Sequence, residues 1–277
     1  MKRQRLHATI YVSQQREAED MRQKHIAIIT GASSGLGRKL AAYLDRSGVD
    51  EIWVNSRRAE RLEALRQGIK TPMRIIAGDI SDEMTIGAFR SALEKENPVV
   101  AYYIYAAGFG KIGAAGSIPL SELRQMIGVN DTAAVTLTEV CLPYMAAGSR
   151  VAFICSVAAF LPIPYLNVYA GTKAFLYRYG RALSVELAPR RVGVTVVCPY
   201  WIRDTEFIAV ARQGEDQPYF RRFPFASSTA FVAKTAWDDL QKGKVVSTPG
   251  WAASLIRIGA KVLPSALVMK MSRILFG

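Results

Sequence analysis

From His25 onward, short and mostly apolar runs alternate with longer stretches in which apolar residues recur every three or four positions. The runs His25–Thr30, Glu51–Ser56, Met73–Asp79, Val99–Ala107, Arg150–Val157 and Gly193–Pro199 predict six buried strands. Between them, helices are predicted over Gly35–Gly48, Arg58–Gln67, Asp82–Glu96, Pro119–Ala147 and Tyr165–Leu187. Leu36, Leu40 and Leu44 share one face of the first helix. Asn97-Pro98 closes the third, and Gly128 marks a bend in the fourth. Strands that are apolar on both faces and separated by helices imply a parallel sheet covered on both sides. Right-handed crossovers then give a three-layer α/β fold, a doubly wound parallel sheet of Rossmann type, with ligands at the carboxyl ends of its strands.

No internal repeat or low-complexity linker interrupts this pattern, so residues 21–250 are read as one domain. Residues 1–20 are polar and carry no apolar segment of a secretory signal. They are read either as a loosely ordered arm or as lying upstream of a natural start at Met21. Residues 251–277 form a basic extension, with apolar-faced helices expected over Trp251–Leu263 and Ser265–Phe276 around Pro264.

Composition narrows the function. Half of the 277 residues are hydrophobic, enough for a large core. The three cysteines, Cys141, Cys155 and Cys198, are scattered and match neither a disulfide framework nor a metal-spaced pair, which fits the reducing cytoplasm. With His7 and His25 the only histidines, no metal site is expected. A net charge of +13 favours anionic partners. The basic residues are dispersed and no recognition motif accompanies them, so nucleic acid is not an expected partner.

Thr30-Gly31-Ala32-Ser33-Ser34-Gly35-Leu36-Gly37 lies between the first strand and the first helix. Glycines there let the backbone approach a phosphate, and the helix start aims free N–H groups and a positive dipole at it. Gly31, Ser33, Ser34, Gly35, Leu36 and Gly37 are the candidate pyrophosphate cradle. At the end of the second strand, an acid selects the ribose hydroxyls of NAD and an arginine the 2′-phosphate of NADP. This chain has Asn55-Ser56-Arg57-Arg58, with Arg38 nearby, so Arg57 and Arg58 point to NADP(H) rather than NAD(H). Downstream, Tyr169 and Lys173 stand four apart on one helix face, and Ser156 ends the fifth strand. An ammonium near a phenol favours phenolate, which suits proton transfer to or from a substrate oxygen.

These motifs together resemble the short-chain dehydrogenase/reductase family over roughly residues 25–250. The resemblance rests on TGASSGLG at 30–37, Asp79, Asn130, Ser156 and YAGTK at 169–173. It implies an oxidoreductase that interconverts a carbonyl and a secondary alcohol, with Tyr169 as acid or base. Lys173 would lower the tyrosine pKa and hold the nicotinamide ribose, and Ser156 would polarise the carbonyl. Asn130 would position Lys173 through a water. Asp79 and Ile80 would flank the adenine, with Ala107, Gly108 and Pro199 completing the cofactor set. A homodimer or homotetramer is implied as well. Two departures stand out. The family's NNAG is Tyr105-Ala106-Ala107-Gly108, and its Pro-Gly is Pro199-Tyr200, with Asp204 and then Thr205 where one threonine is expected.

Residues 200–226 are read as a lid containing Trp201, Phe207, Tyr219, Phe220, Phe223 and Phe225, with Arg212, Arg221 and Arg222. Ala158, Phe160, Leu161, Ile163 and Leu166 are read as an apolar floor. Such walls suit a hydrophobic or lipid-like carbonyl substrate. Tyr200 and Trp201 either wall this cleft or pack in the core. After Asp239 come six Lys or Arg and no acid, including Arg257, Lys261, Lys270 and Arg273. Peripheral contact with an anionic membrane is one reading; cover for the core or a subunit contact is the other. A nucleotide-sensing module that keeps the fold without turnover is the functional alternative.

Overall fold

In β1 (His25–Thr30), Ile26 and Ile28 face one side of a sheet and Ala27 and Ile29 the other, and all four are sealed from water. A strand apolar on both faces has to lie centrally between two helical layers. β1 does so in a seven-stranded, all-parallel sheet of order β3-β2-β1-β4-β5-β6-β7. The remaining strands are β2 (Glu51–Ser56), β3 (Met73–Ala77), β4 (Val99–Tyr105), β5 (Arg150–Ile154), β6 (Gly193–Val197) and β7 (Val246–Ser247). This is the doubly wound fold expected. The structure is a computed structural model and describes residues 23–213, 219–220, 223–264, 266–267 and 269. Residues 1–20, and the second C-terminal helix apart from 266–267 and 269, lie outside that set.

On one face, α3 (Glu83–Glu96), α5 (Ala133–Cys141) and α6 (Asn167–Glu186) bury Phe89, Leu137 and Leu176 against Ile28, Tyr103 and Phe153. On the other, α1 (Gly35–Leu44), α2 (Ala59–Arg66) and α8 (Thr229–Gln241) bury Leu40, Leu62 and Ala236 against Ile29, Val54 and Ile104. The chain runs outward from β1 to β3 and returns through β4. The carboxyl ends of β1 and β4 therefore flank a crevice at the switch point.

Several elements depart from the periodic reading. The helix expected over Pro119–Ala147 is three pieces: α4 (Leu120–Ile127), a π turn over Gly128–Thr132, and α5. The bend at Gly128 is thus a widened turn, which places Asn130 at its centre. β5 ends at Ile154, and Ser156 caps a short 3-10 turn over Val157–Phe160 by accepting the Ala158 N–H at 3.1 Å. β7, two residues long, was not foreseen, and neither was α8. Ser228 caps α8 by accepting the Phe231 N–H, and Val232, Ala233, Ala236 and Leu240 form its buried stripe. A short helix, α7 (Phe207–Ala211), lies within the expected lid, and α9 (Trp251–Val262) follows β7.

Tyr105, at the position where the resemblance leads to an asparagine, braces the end of β4. Its buried hydroxyl donates to the Val129 carbonyl inside the π turn, tying the end of β4 to the segment that carries Asn130. Tyr105→Phe strands that carbonyl and is expected to lower stability by about 1–3 kcal/mol in urea unfolding; an unchanged midpoint contradicts the bracing role.

Candidate active site

The β1–α1 loop is held against the end of β4. The Thr30 hydroxyl accepts the N–H groups of Ala106 (3.1 Å) and Ala107 (3.0 Å). Gly31 has φ +66°, and a Cβ there would stand 2.8 Å from the Ala106 and Ala107 backbone. A Cβ at Gly37 would stand 2.3 Å from the Gly31 carbonyl oxygen. The two glycines permit a turn that no larger residue fits. Ser34, preceding α1, makes no side-chain cap, so the first N–H groups of the helix face the crevice as a ready anion site.

The charged groups around this cradle form a network. Arg58 donates to the hydroxyls of Ser33 (3.2 Å) and Ser34 (3.1 Å). It also pairs with Glu206 at 2.9 Å, and Arg61 pairs with the same carboxylate at 2.6 Å. Arg61, then Arg58, hold the Glu206 carboxyl below its ordinary range. Arg57, more exposed, lies 3.9 Å from Asp79. Burial works against ionisation of Asp79, but the hydroxyl and amide of Ser81 hold its carboxyl below the usual value. Arg38 is exposed and does not line the crevice.

Beyond the cradle, one continuous cavity of about 400 Å³ runs to Ser156, Tyr169 and Lys173. α6 carries Tyr169 and Lys173 on its buried face. Lys173 Nζ lies 5.6 Å from the Tyr169 ring centroid and donates to the Ile154 carbonyl at 3.1 Å. Burial pushes the Tyr169 phenol well up, and the Ser156 hydroxyl in contact with it offsets this only in part. The expected lowering by Lys173 is therefore not what governs the phenol here; burial keeps it protonated. Burial likewise pulls the Lys173 ammonium down, against the attraction of Cys155 and Asp131.

The Asn130 side chain spends its hydrogen bonds beside Lys173 rather than on it. Its Nδ2 donates to the Phe109 carbonyl and the Thr172 hydroxyl, both at 3.0 Å, and its Oδ1 accepts the Phe109 N–H at 3.1 Å. It clamps the irregular segment that leaves β4 to the residue before Lys173. Gly108 runs through this clamp: a Cβ there would stand 3.0 Å from Asn130 Oδ1 and 3.3 Å from Lys173 Nζ.

All the residues expected to hold a cofactor, including Ile80, Ala107, Gly108 and Pro199, line the cavity. Ala158, Leu161, Ile163 and Leu166 form its apolar floor, with Trp201, Phe207 and Phe220 above them. Phe160 packs on Tyr177 instead, and Phe225 on Trp251. Tyr200 both lines the cavity and packs on Val157 and Ala253. Asp204 is spent on Thr229, accepting its N–H and hydroxyl at 2.7 Å each, whereas Thr205 faces Gly35. Arg221 and Arg222 lie outside the described residues. Glu206, Arg61 and Ile256 carried no sequence signal and are brought in by the fold. Among the described residues no cluster of His, Cys, Asp or Glu is placed to hold a metal ion.

Residues 25–216 match the short chain dehydrogenase family. The chain is 32% identical to the very-long-chain 3-oxoacyl-CoA reductase of Eremothecium gossypii over 217 residues, 71% of this chain and 60% of that protein. It is 33% identical to the sulfoacetaldehyde reductase of Chromohalobacter salexigens over 195 residues, 68% of this chain and 76% of that protein. Its fold matches a Sphingobium yanoikuyae short-chain dehydrogenase solved with NADPH (TM-score 0.72, 24% identity, 89% of this chain and 95% of that one). The chain spans between half and seven-tenths of the length of the fungal 3-oxoacyl-CoA reductases it matches. It belongs to the short-chain dehydrogenase/reductase family. An NAD(P) cofactor is typical of that family.

Asp131, next to Asn130, was not foreseen. Its Oδ1 is buried and meets no donor among the described residues. Burial raises its pKa from 3.8 to about 7, with Lys173 opposing. A raised acid pKa contributes stability while the group is protonated; the contribution is lost as pH rises through about 7. Asp131→Asn is therefore expected to gain thermal stability over the parent above pH 7 and to flatten the decline approaching it. Parallel melting curves from pH 5 to 8 contradict this.

Proposed function

We propose that this protein is an NADPH-dependent reductase of hydrophobic, lipid-like ketones. The observation that carries the reading is the single cavity joining an anion cradle to a buried, protonated tyrosine. The cradle fits a dinucleotide: backbone occupies the space a Cβ would fill at Gly31 and Gly37, and uncapped helix N–H groups face the gap. Gly31, Ser33, Ser34, Gly35, Leu36 and Gly37 would hold the pyrophosphate, Asp79 and Ile80 the adenine end, and Ala107, Gly108, Lys173 and Pro199 the nicotinamide end. When bound, a reduced nicotinamide supplies the hydride.

The protein's own residues supply the rest. Tyr169, kept neutral by burial, gives its proton to the substrate oxygen as negative charge develops there. Ser156 has its oxygen fixed by the Ala158 N–H, leaving its hydroxyl hydrogen for that same oxygen. Lys173 places a buried cation beside the phenol and favours the phenolate left behind. Asn130 acts through the clamp on Phe109 and Thr172, keeping Lys173 in register. The apolar floor and aromatic lid exclude water and favour a substrate with an alkyl or ring body. The names of the 3-oxoacyl-CoA reductase relatives accord with that class.

NADPH is favoured over NADH because Arg58 donates to Ser33 and Ser34, Arg61 shares Glu206 with it, Arg57 lines the same cavity, and no acid ends β2. Both cofactors occur in the related solved structures, NADPH in one and NADH in a 3-ketoacyl-(acyl-carrier-protein) reductase from Brucella melitensis.

Two outcomes test this. With hydrophobic ketones and 3-oxoacyl thioesters as substrates, Tyr169→Phe is expected to lower kcat by about 10²–10⁴ while NADPH still binds; undiminished turnover contradicts the proton-donor role. Glu206 holds the two arginines as a phosphate would. Glu206→Gln is expected to tighten NADPH by roughly three- to tenfold, the size of one or two exposed ion pairs, with NADH little changed. An equal effect on both cofactors places the arginines away from the 2′-phosphate.

A further inference from the structure

The helix α9 carries apolar residues on two opposite sides. Its inner side, Ala252, Ala253 and Ile256, packs on Val157, Tyr200 and Trp201, and Ile256 lines the catalytic cavity. Its outer side is a ridge of Trp251, Leu255, Ile258 and Val262, at spacings of four, three and four, which stacks them along one line of a helix. These side chains are 60%, 58%, 59% and 76% exposed. The ridge continues into Phe225, 67% exposed, whose ring meets Trp251 edge-on at 4.9 Å. Isolated exposed apolar residues are ordinary, but an aligned row headed by tryptophan and phenylalanine marks an interaction surface.

Charge indicates which partner the surface fits. Arg257 and Lys261 lie on one flank of the ridge, and the last acid in the chain is Asp239. Beside α9, Arg181, Lys244 and Arg257 line a shallow cleft with Ser184, Val185 and Val245. Lys244 pairs with Asp239 at 3.1 Å, and Arg181 covers the Tyr177 ring. The cleft still gathers three cations against a single acid. A second copy of the chain would bring this same cationic margin against itself across a two-fold axis, in a protein of net charge +13. An anionic bilayer offers the complement to both parts: acyl boundary for the ridge, phosphate headgroups for the flank.

We infer that α9 and Phe225 seat the protein on the surface of an anionic phospholipid bilayer. The helix lies in the plane of the interface, with its ridge in the acyl boundary. At 12 residues α9 is too short to span a bilayer, so its own contact is with the surface. Because the opposite side of α9 walls the catalytic cavity, docking sets the cavity within about one helix diameter, ~10 Å, of the lipid. This inference rests on the surface alone and stands whether or not the reductase reading does.

The test is co-sedimentation of the full chain with vesicles of phosphatidylcholine alone, or of phosphatidylcholine with phosphatidylglycerol, at low and high salt. The protein is expected to pellet with the anionic vesicles at low salt, to release substantially at high salt, and to pellet weakly with neutral ones. Leu255→Glu/Ile258→Glu is expected to partition about 100-fold less, the effect of withdrawing two apolar side chains from the interface. Arg257→Gln/Lys261→Gln is expected to lose affinity and much of the salt dependence. Thermal melts of each variant, expected to match the parent, confirm the fold. Failure of the parent to pellet with anionic vesicles overturns the inference. So does a Leu255→Glu/Ile258→Glu variant that pellets like the parent. A parent that sediments as an oligomer which that variant dissociates, without vesicle binding, assigns the ridge to a second copy and overturns it as well.

Discussion

The structure depends on how closely the β1–α1 loop approaches the end of β4. Thr30 binds two successive N–H groups of the β4 exit through one hydroxyl, and Gly31 leaves no room for a side chain between the two backbones. That contact closes the crevice at the switch point and aims the start of α1 along it. The β4 exit then continues directly into Gly108 and Phe109, which the Asn130 side chain grips. The cradle and the cluster of Ser156, Tyr169 and Lys173 are therefore two ends of one backbone path, rather than two sites that happen to be near each other.

Burial sets the chemistry at the far end. Tyr169 and Lys173 sit in a low-dielectric wall, where charge is costly without compensation. The phenol is kept neutral and the ammonium is pulled down. This poise suits donation of a proton to an oxygen on which charge is appearing. The π turn contributes by directing Asn130 inward, and Tyr105 holds that turn by a hydrogen bond from the sheet. The loss of the family's asparagines at 105–106 is thus answered by a longer side chain making a different connection. The shift from Asp204 to Thr205 is similar: the acid is used to anchor the start of α8, and the threonine next to it faces the loop.

The sheet was legible because β1, β2, β4, β5 and β6 are strands apolar on both faces, and the glycine loop because its residues lie between a strand and a helix. β7 was not, since two residues carry no periodicity and are held by β6 alone. α8 was legible in principle: a capping serine followed by apolar residues at helical spacing. It was hidden within a stretch read as lid and linker. The π turn left only a glycine as its trace, because a widened turn has no composition of its own. Glu206 was invisible for another reason. Its role depends on Arg58 and Arg61, which lie nearly 150 positions away in the chain and become neighbours only when the lid folds over β2. The outer ridge of α9 was half legible: apolar spacing showed that the helix had apolar residues to place, but only packing shows which of them the core leaves outside.

The most direct test of the account is an equilibrium fluorescence titration of the protein with NADPH and, separately, NADH. The glycine cradle and the three arginines predict saturable binding of both, with NADPH roughly tenfold or more the tighter, one phosphate's share of charge-assisted hydrogen bonds. Equal or tighter binding of NADH would contradict the arginine assignment. Binding of neither would contradict the cradle itself, and with it the link between the two ends of the cavity on which the proposed reaction depends.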